Sequence, residues 1–411
     1  MTTPTLSAAA ADEIRDLANT DHPSVIEFLR ELVRIPSRGG LDPYDPVLEL
    51  VGSWVAERGL AWRYLHDERG NLMGLVCDVV GGQPGPRYVL DACADTAPFG
   101  DEAAWRHPPT SAVVEDGWLY GRGSADSKAA IAIFSHLAAR LRQQAEQLAG
   151  TVTLLFDADE HTGQFGGASR YFSGPDAPDD VAGVMIGYPG PDHVVVGCRG
   201  FLRAAITVTG TAGHSGSSTP VSGNAVEKAA ELVHRLVRTK LPMVTREAFP
   251  LPPRLTVTAL HGGEASGGYT IVPDGCMVHV DLRLTPAFNA AAATALLEQE
   301  ALAVDQEQPT AGQTLLEVVG TWPAYRLDSG SPLSTALLRA AERATGRAPR
   351  PKVAGPSNIG NYLAGLGIEA TAGFGVAYRN AHGTDECIDL STIPSVQAAY
   401  HEAVVTLLSS G

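Results

Sequence analysis

Tyr120-Gly121-Arg122-Gly123-Ser124-Ala125-Asp126-Ser127-Lys128 leads from a glycine-rich loop into an apolar helical pattern, and the fold is read outward from it. The pattern predicts a helix from Asp126 to about Leu148, with Ser124 as its N-cap. Before it lie two short apolar runs that read as strands, Gly74 to Val80 and Tyr88 to Ala92. After it come two more, Val152 to Phe156 and Val181 to Ile186. Strands alternating with helices indicate an α/β domain whose sheet is largely buried. Further out, Pro23 to Arg34 has helical spacing and stops at Ile35-Pro36-Ser37.

From about Arg199 the pattern changes. Leu202 to Val208 alternates like a half-buried strand, Asn224 to Val237 is helical, and Leu255 to Leu260 and Met277 to Leu284 are strands. A helix at about Ala287 to Val304 and a strand at Thr314 to Gly320 complete a β-α-β-β-α-β order. After Trp322-Pro323 the α/β pattern resumes with helices at Pro332 to Thr345 and Asn358 to Leu363, a strand at Ala370 to Phe374, and a last helix at Ile393 to Leu408. The small domain is therefore read as an insertion at 199–320 into a larger one made of 1–198 and 321–411.

With 411 residues, 44% hydrophobic and 18% charged, the chain suits two globular domains. A formal charge of −16 argues against nucleic acid or an anionic membrane as partner. No basic segment followed by an apolar stretch opens the chain, and no run of about 18 apolar residues occurs. The five cysteines are scattered without CxxC spacing. These features predict a cytoplasmic protein with free thiols.

Four polar clusters stand at predicted strand ends or in the loops after them, where active groups of open α/β sheets gather. They are Cys93-Ala94-Asp95-Thr96, the 120–128 loop, Asp157-Ala158-Asp159-Glu160-His161, and Asn380-Ala381-His382-Gly383-Thr384-Asp385-Glu386. Singly, each has an ordinary reading: Asp126 as a first-turn helix acid, His382 as a loop histidine. Together, in this order, they resemble the M20 metallopeptidases, a family that includes deacetylases, desuccinylases and carnosinase-like dipeptidases. Trp105 with Pro108-Pro109, the loop Gly210-Thr211-Ala212-Gly213-His214-Ser215, and Ile271-Val272-Pro273 with Asp281-Leu282-Arg283 extend the likeness over nearly the whole chain. The resemblance implies a zinc-peptidase-like α/β catalytic domain with an inserted α+β, ferredoxin-like lid and dimerisation domain. It also implies a homodimer.

In that family a bridging aspartate joins two zinc ions. The resemblance puts the bridge on Asp126, the general base on Glu160, the late histidine ligand on His382, and the aspartate of the His-x-Asp motif on Asp95. Three positions depart from the pattern. Cys93 stands where a histidine is usual, His161 replaces the second glutamate, and Tyr188 in Gly187-Tyr188-Pro189 replaces a carboxylate. All three replacements can still bind a metal. Asp126, His161 and His382 would make a three-ligand set for one divalent ion, Zn²⁺ with an open water position, and equally Fe²⁺ or Mn²⁺. Cys93 is an additional ligand, a buried filler or a reactive thiolate. Tyr188 is expected to donate a hydrogen bond to substrate or intermediate rather than ligate, since its hydroxyl ionises near 10.

The resemblance also makes His214 an oxyanion donor. Arg283 is either a grip for a substrate carboxylate or a solvated strand-end charge. Thr270, where the family often has asparagine, and Asn358, near where an aspartate commonly stands, put inherited substrate assignments aside while leaving Asn358 a substrate-site candidate. The reading favoured is a metal-dependent amidohydrolase acting on a small, carboxylate-bearing N-acyl amino acid or dipeptide-like substrate. One alternative is a cyclase, lyase, isomerase or oxidative enzyme using one metal and Glu160 as base. The other is a catalytically silent homologue.

Overall fold

The computed structural model describes residues 6–409 except 220, 222, 244–248, 264–267 and 311. The first five residues of the N-terminal reading lie outside that set. The chain divides into two compact units: Met1–Val196, Leu327–Lys352 and Leu366–Gly411 form one, Gly197–Arg326 and Val353–Gly365 the other.

The larger unit is built on a sheet whose strands run, in spatial order, Ala61–His66, Leu72–Val80, Ala149–Asp157, Gln83–Cys93, Val181–Ile186, Ala370–Gly373 and His193–Cys198. The central pairs are parallel: Gln83–Cys93 with both Ala149–Asp157 and Val181–Ile186, and Ala370–Gly373 with Val181–Ile186. Register partners Cys93 and Asp157 therefore end side by side. Central strand residues such as Val89, Leu90, Leu154 and Leu155 are fully buried, as expected of a sheet covered on both faces. Three helices, Ala8–Arg34, Ala129–Gln143 and Ile393–Leu408, pack on one another.

Two helix starts differ from the sequence reading. The first helix begins at Ala8, not Pro23; Ser7 accepts from the Ala10 N–H and Pro23 sits inside. A burial stripe through Ala11, Ile14 and Ala18 carries the helix across the proline. The helix expected from Asp126 begins at Ala129 and ends at Gln143. Asp126 and Ser127 leave the helical backbone, Gly123 takes a left-handed φ of 79°, and Ser124 caps nothing. The detour turns the Asp126 side chain out of the helix.

A second, small antiparallel sheet joins Val113–Glu115, Trp118–Tyr120, Cys387–Asp389 and Tyr378–Arg379. Its register sets Cys387 opposite Tyr120. The loop carrying His382 is thereby fastened beside the loop carrying Asp126.

The smaller unit has the β-α-β-β-α-β order. Its antiparallel sheet runs Arg254–Gly262, Gly275–Leu284, Gly200–Thr209, Leu315–Trp322, the ferredoxin-like arrangement. Helices Ala225–Arg238 and Ala290–Glu307 share one core with Leu202, Ile206, Val278, Val280 and Leu282. Alternate strand residues turn away from that core.

Candidate metal centre

Three of the parallel strands end in the residues that matter. Cys93 closes Gln83–Cys93, Glu160 and His161 lie in the turn after Ala149–Asp157, and Tyr188 follows Val181–Ile186. Asp95 organises the second group. Its Oδ1 accepts from the Glu160 N–H at 3.0 Å and its Oδ2 from the His161 N–H at 2.9 Å. Asp95 is wholly buried, so these bonds hold the turn rather than decorate it.

Around this turn, Cys93, Asp126 and His161 bring one sulfur, one carboxylate oxygen and one ring nitrogen within 4.8 Å of one another. Cys93 Sγ is 3.0 Å from Ser127 Oγ and 3.9 Å from Asp126 Oδ1. His382 Nε2 lies 2.9 Å from Asp126 Oδ2, and its ring centroid is 5.1 Å from that of His161. Tyr188 Oη donates to Glu160 Oε1 at 2.7 Å. Cys93, Asp95, Asp126, Glu160, His161, Tyr188 and His382 are thus gathered in the larger unit.

Both ring nitrogens of His161 are buried without a hydrogen bond. Nδ1 faces Asp95 Oδ2 at 3.4 Å and Glu160 Oε2 at 3.3 Å. An imidazole with open lone-pair positions beside a thiol and a carboxylate is a donor set that fits a divalent cation of borderline softness. His382 adjoins the set through Asp126.

The electrostatics follow from burial and crowding. Burial pushes the Glu160 carboxyl up to about 7, with His161 pulling it down and Asp126 pushing it up. For His161, burial opposes the charge, but Asp95, Glu160 and Asp126 outweigh it and raise the imidazole to about 9. Against burial, His382 and His161 keep Asp126 below the usual carboxylate range. Burial first, then Asp126 and Glu160, hold the Cys93 thiol far above its ordinary value. Burial and Glu160 do the same to the Tyr188 hydroxyl, which therefore stays a donor.

The sequence reading assigned no role to a supporting layer. Glu386 Oε2 accepts from Arg122 Nη1 at 2.6 Å, and Oε1 accepts from the Ala125 and Asp126 N–H groups at 2.9 and 3.3 Å. Arg122 Nη2 reaches the His382 carbonyl at 3.1 Å, and its guanidinium lies over Trp105. Asp91 and Asp157 are buried acids on neighbouring strands; neither Asp157 oxygen nor Asp91 Oδ1 has a hydrogen-bond partner. The signal available was the pair of acids at Asp91 and Asp157 inside otherwise apolar strands.

The remaining sequence candidates lie in the smaller unit. His214 is exposed on a two-residue strand paired with Ile271–Val272, its Nδ1 accepting from the Gly216 N–H at 3.0 Å. Arg283 is engaged with Asp281 at 2.9 Å and with Ser357 at 3.3 Å. Asn358 Oδ1 accepts from the Gly360 N–H at 2.8 Å at the start of helix Ile359–Gly365.

A model of peptidase family M20/M25/M40 matches residues 93–406. Succinyl-diaminopimelate desuccinylases from Marinobacter nauticus and Halorhodospira halophila are 27% and 26% identical. The first alignment covers 93% of this chain and 98% of the relative, the second 94% and 99%. Among solved structures, an M20 family metallo-carboxypeptidase from Sulfolobus solfataricus aligns with a TM-score of 0.72 at 20% identity, covering 93% of this chain and 98% of that one. A dinuclear metal-binding peptidase from Bacillus subtilis aligns at 0.70 and 14% identity, covering 95% and 99%. At these identities the structural likeness speaks for the fold.

Proposed function

The chain belongs to peptidase family M20/M25/M40 and is a metal-dependent amidohydrolase; from that premise we propose that it cleaves a small, carboxylate-bearing N-acyl amino acid or dipeptide-like substrate with a single divalent metal. The observation that carries this reading is Glu160. Its side chain is largely buried, which raises the carboxyl to about 7, and it lies 3.3 Å from His161 of the Cys93–Asp126–His161 cluster. A base near the working pH is what proton shuttling in amide hydrolysis requires.

Cys93, Asp126 and His161, with His382 adjoining, would hold the ion. When bound it supplies Lewis-acid polarisation of the scissile carbonyl and acidifies water. Glu160 takes a proton from the attacking water as the C–O bond forms and the carbonyl becomes an oxyanion, then gives that proton to the leaving nitrogen as the oxyanion collapses and the C–N bond breaks. Tyr188, 2.7 Å from Glu160 Oε1, fixes the carboxylate that moves the proton. Asp95 sets the backbone from which both Glu160 and His161 project. His214 is assigned to stabilise the oxyanion, a role the family resemblance supports, as it supports a homodimer; Arg283 or Asn358 is assigned to meet the substrate carboxylate.

Charge supports one ion. Where the family pattern has carboxylates, this chain has His161 and Tyr188, so Asp126 is left as the lone carboxylate of the ligand positions. Zn²⁺ suits the resulting sulfur, nitrogen and oxygen donors. The desuccinylase relatives favour hydrolysis over the cyclase, lyase, isomerase or oxidative alternative.

The test is Glu160→Gln against a panel of N-acyl amino acids and dipeptides, with metal content measured by elemental analysis. Turnover should fall at least about a hundredfold, the scale of general acid–base catalysis, with the metal retained. A variant that keeps wild-type turnover would remove Glu160 from the mechanism. Two ions per chain in the active wild type would overturn the single-metal reading.

A further inference from the structure

The sheet of the smaller unit gathers two imidazoles and a thioether on one face, a donor set remote in kind from the first. In the Gly275–Leu284 strand, Cys276, Val278, Val280 and Leu282 are buried in the core. Met277 and His279 therefore point to the opposite face, and Met277 is 39% exposed. On the neighbouring Arg254–Gly262 strand, exposed His261 is the register partner of Met277. Partners across an antiparallel pair share a face. The rings of His261 and His279 lie 5.7 Å apart, edge to face, and His279 Nε2 is 3.1 Å from Met277 Sδ. Among the described residues neither imidazole has another hydrogen-bond partner.

We propose that His261, Met277 and His279 bind monovalent copper on the open face of this sheet. The donor types select it: a thioether is a soft ligand that hard ions such as Mg²⁺ and Ca²⁺ avoid, while Cu⁺ takes thioether and imidazole together. The geometry accommodates it. With bonds as long as those of zinc to nitrogen and thiolate sulfur, about 2.0 and 2.3 Å, atoms 3.1 Å apart subtend about 90° at a shared ion. His261, across the strand pair, supplies the third donor by turning about its side-chain bonds, which exposure leaves free. Position also favours binding, because an exposed Met277 contributes little to the core. The residues lie outside the ligand positions of the hydrolytic site, so copper held here leaves that site's own metal in place.

The test is an anaerobic Cu⁺ titration of the intact protein against bicinchoninate, with every sample in the Cys93→Ser background so that the thiol of the other centre does not take copper. The parent should withdraw one equivalent of Cu⁺ from the indicator. His261→Ala and His279→Ala should each weaken that binding at least about tenfold, and Met277→Leu several-fold, with folding unaffected because all three changes are on an open face. X-ray absorption at the copper edge should show one sulfur and two nitrogen neighbours in the parent and no sulfur in Met277→Leu. Indistinguishable titrations of parent and variants would overturn the proposal and leave the 3.1 Å approach as an N–H···S hydrogen bond.

Discussion

Replacing Glu386 by alanine should unfasten the two loops that meet at Asp126. The Glu386 side chain is wholly buried and that of Arg122 is 2% exposed. The substitution removes the 2.6 Å ion pair and leaves a buried guanidinium without its counter-charge. It also removes the acceptor from the Ala125 and Asp126 N–H groups. Breaking a buried pair from one side costs about 3–5 kcal/mol, and an orphaned buried N–H costs about 1–3 kcal/mol more. Because the groups share one acceptor the terms do not add in full, and a net loss of about 4 kcal/mol is expected. Urea unfolding followed by tryptophan fluorescence is the assay, since the Arg122 guanidinium lies 5.2 Å from the Trp105 ring. Arg122→Met combined with Glu386→Gln removes both charges and keeps an acceptor for the backbone, so it should recover more than half of the loss. A Glu386→Ala protein within about 1 kcal/mol of wild type would refute the reasoning, since the low end of the cost for a broken buried pair is about 3 kcal/mol. So would a double variant no more stable than the single one.

Three further outcomes can be checked. His136 and His401 are buried and held at about 4 by desolvation, against an ordinary 6.5. Their stabilisation is complete above pH 6.5 and is lost as pH falls toward 4, at up to about 3 kcal/mol each; urea midpoints should fall over that window, less steeply in His136→Gln. Burial, then Asp91, raises the Asp157 carboxyl far above its usual range, so folding must take up a proton that the unfolded chain has lost, and stability declines as pH rises. Asp157→Asn should therefore stabilise the protein at pH 8 and lose that advantage near pH 4, which paired urea titrations would show. His161→Ala should strip most of the metal and abolish hydrolysis, read by elemental analysis and turnover; metal content equal to wild type would mean that His161 is not a ligand.

The parallel strands were legible because each is a short apolar run ending in a polar cluster, and such runs need no long-range information. Val181–Ile186 and the last helix, Ile393–Leu408, keep the bounds read from their spacing. What joins Asp126 to His382 was not legible. The link runs through Trp118–Tyr120 and Cys387–Asp389, strands of three residues each, too short to show alternation and far apart in the chain. The Asp126 detour was hidden for a related reason. Ser124 followed by an apolar stretch fits a capped helix, and only the packing of Glu386 against the Ala125 and Asp126 N–H groups shows that those donors are satisfied outside the helix.

The three departures at Cys93, His161 and Tyr188 could be read one by one from sequence, but their connection could not. Tyr188 meets Glu160, Glu160 meets His161, and His161 shares a cluster with Cys93 and Asp126. A neutral phenol beside the base cannot screen a second cation, and an imidazole in place of a carboxylate adds no negative charge to hold one. On the proposed single-ion reading each change makes the next less costly, because a site with one ion would need fewer carboxylates and Glu160, held by a hydroxyl donor, would keep its place without a second ion to anchor it. Reverting one position alone tests this interdependence. His161→Glu would put a carboxylate within reach of Glu160 and Asp126, like charges that disfavour ionisation in each other. It should lower hydrolytic turnover, and adding Tyr188→Glu with excess Zn²⁺ should restore a two-ion centre by elemental analysis. If His161→Glu alone bound two ions and turned over like wild type, the three positions would be independent, and the single-ion argument would lose its physical basis.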